Sequence, residues 1–337
     1  MTSPDLVPAP EVIAAVDIGS NSAHLLVALV DDRTVTPLAD ESALLGLGAI
    51  VDRDGRLPFA ARRALLEALD GFVATARRWH TNELVLLGAE PFRRAADADE
   101  VSDMALGRVG VPIVVLEHAE EAELTLLGVT RGTPVEAPLL VVDIGGGSTE
   151  AIHQAPRRPP RTFVIATGSN RLTQACEPGD PPMPADREHL AMQARELLAA
   201  APGRHPVRAV LVGGSATNLA RVVTGVRGGD PGSPANVMSR VGVEQAIHEI
   251  DRTPSATLAE RYRLTPIRAR LLPAGAALVL AFMERYALDV VEVSEASLRE
   301  GAVLALRHAG PDWRSRLTGL TAGWLDSGTL ALPARLA

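Results

Sequence analysis

Short apolar runs alternate along this chain with longer stretches in which apolar residues recur every three or four positions, the pattern of buried strands alternating with amphipathic helices. "EVIAAVDIGSNSAHLLVALV" (11–30) reads as strand, tight turn, strand. In 57–80, Leu65, Leu66, Leu69, Phe72, Val73 and Ala76 share one helical face. "ELVLLGAE" (83–90) reads as a buried strand, and "PIVVLEHAEEAELTLLGVTRG" as a strand followed by a helix from near Ala119. The pattern then restarts. "APLLVVDIGGGSTEAIHQ" is again strand, turn, strand; "RTFVIATGSNRL" is a strand running into a helix; "VRAVLVGGSATNLARVV" is a strand, a glycine turn and a helix. Helices fill most of 243–287, and "LDVVEVSEASLREGAVLALRHA" supplies a last strand and helix, with Ser297 and Glu300 at capping-box spacing.

The restart is an internal repeat. VDIGSNS (16–22) and VDIGGGS (142–148) share five of seven positions, 126 residues apart (143 − 17). A repeat with a domain-sized period predicts two related α/β halves facing a shared cleft. The expected division is a disordered tail over 1–10, a first domain over 11–131, a second over 132–310 and a C-terminal tail of weak periodicity over 311–337.

Composition narrows the function. The length of 337 residues exceeds one ordinary core and suits two domains. A net charge of −8 argues against a protein that coats nucleic acid, and 3% aromatics leaves few platforms for stacking bases. All 33 basic residues are arginine, which excludes a Walker-type phosphate loop and Schiff-base chemistry. The single Cys176 excludes an internal disulfide and a cysteine zinc site. The N-terminus lacks a basic segment, and "LLPAGAALVLAFM" (271–283) is short for a bilayer and reads as a buried helix, so a cytoplasmic protein is expected. The eight histidines show no paired metal spacing; His24, His118 and His153 are read as structural or surface residues.

Two turns carry the chemistry. Without side chains, backbone N–H groups can approach an anion closely, and a carboxylate just before the turn can hold a divalent cation beside it. Such turns also occur as plain hairpins. A third anion-binding candidate is Gly213, Gly214 and Ser215, where a strand meets a helix N-terminus. Glu120, Glu121 and Glu123 lie in the first turn of a helix, where acids also simply favour the dipole.

The segments DIGSNS, EEAELTLLGV, DIGGGSTE, GGSATNLA, LLPAGAALVL and ASLREGAVLAL stand in the order found in the exopolyphosphatase and guanosine pentaphosphatase (Ppx/GppA) family, which the chain resembles over roughly residues 11–308. The resemblance implies two ribonuclease-H-like domains of the actin, Hsp70 and sugar kinase superfamily around a central cleft, in the short two-domain form. It implies that Glu121 is the catalytic carboxylate and that Asp143 and Glu150 are linked to Mg²⁺ or Mn²⁺. It assigns phosphate contacts to Asp17, Gly19, Ser20, Asn21 and Ser22, to Arg93, to Gly145, Gly146, Gly147 and Ser148, and to Gly213, Gly214 and Ser215. Two departures stand out: Glu117 and His118 replace a Ser-Gly pair, and "GAEPF" with Glu90 and Pro91 replaces Thr and small residues before Arg93.

The expectation is a Mg²⁺-dependent phosphoanhydride hydrolase that takes terminal phosphate from inorganic polyphosphate or guanosine pentaphosphate and binds neither nucleic acid nor membrane. A homodimer is expected. The alternatives are a non-catalytic alarmone or polyphosphate sensor, which the intruding acids favour, and a small-molecule kinase of the same fold.

Overall fold

The computed structural model describes residues 9–203 and 206–321, which form two compact units, 9–134 with 298–321, and 135–297. Residues 1–8 and 322–337, most of the expected tails, lie outside the described residues.

The first unit contains β1 (Glu11–Ile18), β2 (Ser22–Val30), β3 (Val35–Leu44), α1 (Leu47–Asp54), α2 (Phe59–Arg78), β4 (Glu83–Gly88), α3 (Glu90–Arg94), α4 (Ala98–Val109), β5 (Ile113–Val115) and α5 (His118–Thr130). Its sheet has the order β3-β2-β1-β4-β5, with β1 antiparallel to β2 and parallel to β4. The period of two in β1 explains its burial on both faces. Ala14, Val16 and Ile18 pack with Leu65, Leu69 and Phe72 of α2, while Ile13 and Ala15 pack with Leu124 and Leu127 of α5. Full burial of each such large side chain stabilises by about 1.5–3 kcal/mol. β3 gives no clean alternation because it is an edge strand: Pro37 interrupts it, and its register with β2 shifts between Val27 and Ala28.

The second unit contains β6 (Leu139–Ile144), β7 (Thr149–Gln154), β8 (Arg161–Ile165), α6 (Ser169–Cys176), α7 (Pro184–Leu198), β9 (Arg208–Val212), α8 (Gly213–Val226), β10 (Val237–Ser239), α9 (Arg240–Ile250), α10 (Ser255–Tyr262), α11 (Pro266–Arg285) and β11 (Val290–Val293). Its order, β10-β11-β9-β6-β7-β8, repeats the first sheet strand for strand and adds β10 as a short antiparallel edge. α11 is long and apolar enough to cross a membrane by composition alone, yet Leu272, Ala274, Leu278 and Phe282 lie in the core with Leu140, Val142 and Leu219.

The chain closes with α12 (Leu298–Ala309) and α13 (Trp313–Thr321). Here the expected boundaries are corrected. The second domain does not run to 310, because Leu298, Val303 and Leu304 of α12 join the core of the first unit. Gly301 explains the placement: a Cβ there would lie 1.8 Å from Leu124 O, so the α5 and α12 backbones meet where only glycine fits. Residues 313–321, expected as tail, are a helix whose Trp313, Leu317 and Leu320 are buried in that same core.

Candidate functional site

In the first unit, Gly19–Asn21 form the turn between β1 and β2. Gly19 N–H donates to Ser22 O at 3.0 Å, and Asp17 pairs across the strands with His24. The turn is fastened to the start of α1: Gly48 N–H donates to Ser20 O at 2.8 Å, and Asn21 O accepts from Leu45 and Gly46. The Ser20 hydroxyl donates to Glu90 Oε2 at 2.9 Å, and Ser22 Oγ lies 2.6 Å from His24 Nε2. Asp17 Oδ1 is buried without a hydrogen-bond partner. Its pKa rises from the ordinary 3.8 to about 6; burial pushes it up, Arg299 pulls it down, Glu300 adds to the rise and Arg93 opposes it.

The acids of α5 separate by partner. Glu117 and Glu120 close a capping box at the helix N-terminus. Glu120 also takes two hydrogen bonds from Arg314 of α13, at 2.7 and 2.6 Å. Burial alone would raise the Glu120 pKa, but those bonds and the Glu117 N–H outweigh it and hold the group below its ordinary value. Glu123 accepts from Thr318, and burial pushes its pKa up. Glu121 is different: its Oε2 accepts from Arg93 Nη1 at 2.6 Å, with both side chains mostly buried. Arg93 also donates to Leu116 O at 2.9 Å, while its Nε and Nη2 are buried with no partner. A desolvated guanidinium with two spare donors suits a bidentate anion. The strand expected over 83–90 ends at Gly88, and Glu90, expected in it, instead opens the short helix α3 that sets Arg93 beside α5.

In the second unit the repeat holds at the level of hydrogen bonds. Gly145 N–H donates to Ser148 O at 3.1 Å, as Gly19 does to Ser22, and Asp143 pairs across β6 and β7 with Glu150, which is 2% exposed. Offset by 126, Glu150 takes the place of His24. The carbonyls of this turn face the start of α6: Ser169 N–H donates to Gly145 O and Asn170 N–H to Gly146 O, both at 2.9 Å, and Arg171 Nη1 donates to Gly147 O at 3.1 Å. Gly168 permits the approach, since a Cβ there would lie 2.3 Å from Gly145 O.

Gly213 and Gly214 do not form a separate turn, as the sequence suggested; they are the first residues of α8. Gly213 has φ +83°, and a Cβ on it would sit 2.6 Å from Asp143 Oδ1. Only glycine lets the helix begin against that carboxylate. At Gly214 a Cβ would meet Arg268 Nη1 at 2.0 Å. Burial, with Arg221 nearby, lowers the Arg268 pKa. Sequence reading missed Arg268 because α11 reaches Gly214 only through the fold. It singled out Glu90 as a departure from the family pattern, but not its bonds to Ser20 and Arg94. The LREG segment proves partly structural: Arg299 donates to Leu25 O and Asp40 Oδ1, and Gly301 packs on α5.

The first unit thus brings Asp17, Gly19–Ser22, Arg93 and Glu121 into one structure, and the second brings Asp143, Gly145–Ser148, Glu150 and Gly213–Ser215 into another. The donors suit a hard divalent cation: the unpartnered Asp17 Oδ1 in one, and the carboxylates of the cross-strand neighbours Asp143 and Glu150 in the other.

Comparison with known proteins places this geometry. The sequence model of the Ppx/GppA phosphatase family matches residues 26–309. The chain is 29% identical over 305 residues to Exopolyphosphatase 1 of Mycobacterium leprae, covering 87% of this chain and 88% of that protein. It is 29% identical over 323 residues to Exopolyphosphatase 2 of Mycobacterium tuberculosis, covering 87% and 98%. Its fold matches the crystal structure of the Aquifex aeolicus Ppx/GppA family member with a TM-score of 0.77 at 24% identity, over 88% of this chain and 97% of that one. An exopolyphosphatase from Cytophaga hutchinsonii matches with a TM-score of 0.78 at 21% identity, over 88% and 97%. The chain belongs to the Ppx/GppA phosphatase family, and its two α/β units share one strand order, with β10 added in the second.

Proposed function

We propose that this member of the Ppx/GppA phosphatase family hydrolyses phosphoanhydride bonds and releases terminal phosphate from inorganic polyphosphate. The observation that carries the reading is the Arg93–Glu121 pair, in which a buried guanidinium with two spare donors holds a carboxylate at 2.6 Å. Kinship with proteins named exopolyphosphatase, at 28–29% identity, supports the substrate class.

Each residue has a role in this reading. Arg93 binds phosphate oxygens through Nε and Nη2 and sets the orientation of Glu121. Glu121 takes the proton of the attacking water, leaving a nucleophile to displace the terminal phosphoryl group. The backbone N–H groups of the 145–148 turn and the start of α8 stabilise charge on the phosphoryl oxygens. Mg²⁺, when held by Asp143 and Glu150, supplies positive charge to the phosphate chain.

Guanosine pentaphosphate is the second substrate this chemistry admits, since its terminal bond is also a phosphoanhydride. The Ser20–Glu90 bond favours a different outcome, binding without turnover, because it sets an acid beside a turn proposed to receive phosphate. One experiment separates these readings from a kinase: incubate the chain with Mg²⁺ and polyphosphate, guanosine pentaphosphate, or ATP with candidate acceptors, and assay free phosphate and ADP. Phosphate release from polyphosphate is the expected result. ADP formation only in the presence of an acceptor would overturn the hydrolase reading.

A further inference from the structure

The hairpin between β7 and β8 stands out by its charge. In a chain of net charge −8, residues 151–176 hold four arginines and no acid. Arg157, Arg158 and Arg161 are exposed on that hairpin, and none of them forms an ion pair with a described residue. A further arginine lies behind its base. His153 pairs across the strands with Arg161, its Nε2 lies 3.0 Å from the Tyr286 hydroxyl, and Arg285 sits 5.9 Å from the centre of that tyrosine ring.

The hairpin is also held in one shape. Pro156, Pro159 and Pro160 restrict the backbone on both sides of Arg157 and Arg158. Gln154, 4% exposed, donates from Nε2 to Ala155 O at 2.9 Å and to Arg158 O at 2.7 Å. Arg158 N–H closes the turn on Ala155 O at 3.2 Å. A stiff loop keeps like charges together, so little ordering is left to do when a ligand binds.

An anion with many charges suits this tip. Guanidinium groups pair with phosphate oxygens through two parallel hydrogen bonds. Residues 155–161 are alanine, proline and arginine alone. They offer no aromatic ring to stack a base and no large apolar side chain to enter a lipid. A bare phosphate polymer needs neither. The strand register supplies the route. β8 pairs with β7 from Arg161 opposite His153 to Ile165 opposite Thr149, the residue after the Gly145–Ser148 turn. At the rise of an extended strand, the tip lies on the order of 15 Å from that turn. Ser169 and Asn170, just beyond β8, bond to the carbonyls of the same turn.

We propose that the 157–161 hairpin anchors the distal part of a long polyphosphate chain whose terminal phosphate occupies the 145–148 turn. The anchor rests on the phosphatase reading above and adds discrimination by chain length, because tripolyphosphate held at the turn is too short to reach the tip.

The test compares tripolyphosphate with long-chain polyphosphate, by phosphate release with Mg²⁺ and by calorimetric titration of the full chain. One variant combines Arg157→Gln, Arg158→Gln and Arg161→Gln; a second combines the three Arg→Lys changes at the same positions. In the Gln variant, affinity for the long chain should fall by at least about tenfold at low salt, and KM should rise with it. The loss should shrink as added salt screens the exposed charges. Tripolyphosphate should change by less than about twofold, since the tip lies beyond a Debye length from the turn. The Lys variant, which keeps the charge, should retain most of the long-chain affinity. Equal losses on both substrates, or no loss on the long chain, overturn the proposal. Unchanged long-chain affinity with lost binding of single-stranded DNA or anionic vesicles would assign the hairpin to those partners instead and overturns it too. Wild type that releases phosphate from neither substrate would sink the phosphatase reading, and the calorimetric comparison would still decide the anchor.

Discussion

Arg93 Nη1 donates to Glu121 Oε2 at 2.6 Å, which ties the short helix after β4 to the first turn of α5. The pair singles out one carboxylate among three. Glu120 is spent on the capping box and Arg314, and Glu123 on Thr318, so Glu121 is the acid of that turn held by a buried cation with donors to spare.

Glu121→Gln should therefore lower the rate of phosphate release by about 10²–10⁴-fold, the usual contribution of a general base, while tripolyphosphate binding is retained. Glu120→Gln should leave the rate within a few-fold and lower the melting temperature, because it breaks a cap and an ion pair. The reverse outcome, with Glu120→Gln inactive and Glu121→Gln active, would show that the base is the other carboxylate.

Arg93→Gln should differ from both. It removes phosphate donors and the orientation of Glu121 together, so KM should rise and kcat should fall. Steady-state kinetics on polyphosphate separate this from Glu121→Gln, where only kcat should fall.

Asp17 makes folding stability depend on pH in a definite direction. Its folded pKa, about 6, lies above the ordinary 3.8, so between these values the folded chain keeps a proton that the unfolded chain releases. Stability falls as pH rises through that window, and the full cost of the buried charge is present above about pH 6. Asp17→Asn removes the cost. In metal-free buffer its melting temperature relative to wild type should therefore rise from pH 4 to pH 7. A difference that stays flat across that range would mean that Asp17 is not desolvated as described.

Two glycines should respond differently to the same methyl group. Gly213→Ala imposes a left-handed φ on alanine, at a cost of about 1–2 kcal/mol, and drives the Cβ into Asp143 Oδ1. It should lower the melting temperature and abolish phosphate release together. Gly146 has no left-handed φ. Gly146→Ala should fold, melt close to wild type and lose the rise in melting temperature that tripolyphosphate with Mg²⁺ gives the wild type. If that rise is intact in Gly146→Ala, the glycines serve the turn and not the phosphate.

The cation can be tested by removal. Phosphate release should stop in excess chelator and return with Mg²⁺ or Mn²⁺, and Asp143→Asn should need more metal for half-maximal rate. Full activity in chelator would take the cation out of the mechanism.

Much of this architecture was legible in the chain. The period-two run in β1, the helical face from Leu65 to Ala76 and the DIG repeat 126 residues apart are local patterns, and burial follows directly from them. The structure closes both copies of the repeat with equivalent hydrogen bonds, Gly19 to Ser22 and Gly145 to Ser148, because the same backbone path recurs. β3 escaped because Pro37 and a bulge break the alternation that marks a strand. The boundary at 310 was misplaced because α12 packs by its surface, and Gly301 against Leu124 O is a contact between residues far apart in the chain.

The sequence by itself determined the elements, the repeated turn and the kinds of group on offer: acids before glycines, a cluster of glutamates, and arginine as the sole basic side chain apart from histidine. Only the tertiary structure decided which acid meets which cation. Glu121 with Arg93, Glu120 with Arg314, Glu90 with Ser20 and Arg94, and Gly214 beneath Arg268 are chosen by how helices seat on sheets. The physical reason is range. Periodicity and backbone conformation are set by near neighbours along the chain. Pairing of charges and loss of solvent depend on distances in space that no local spacing encodes.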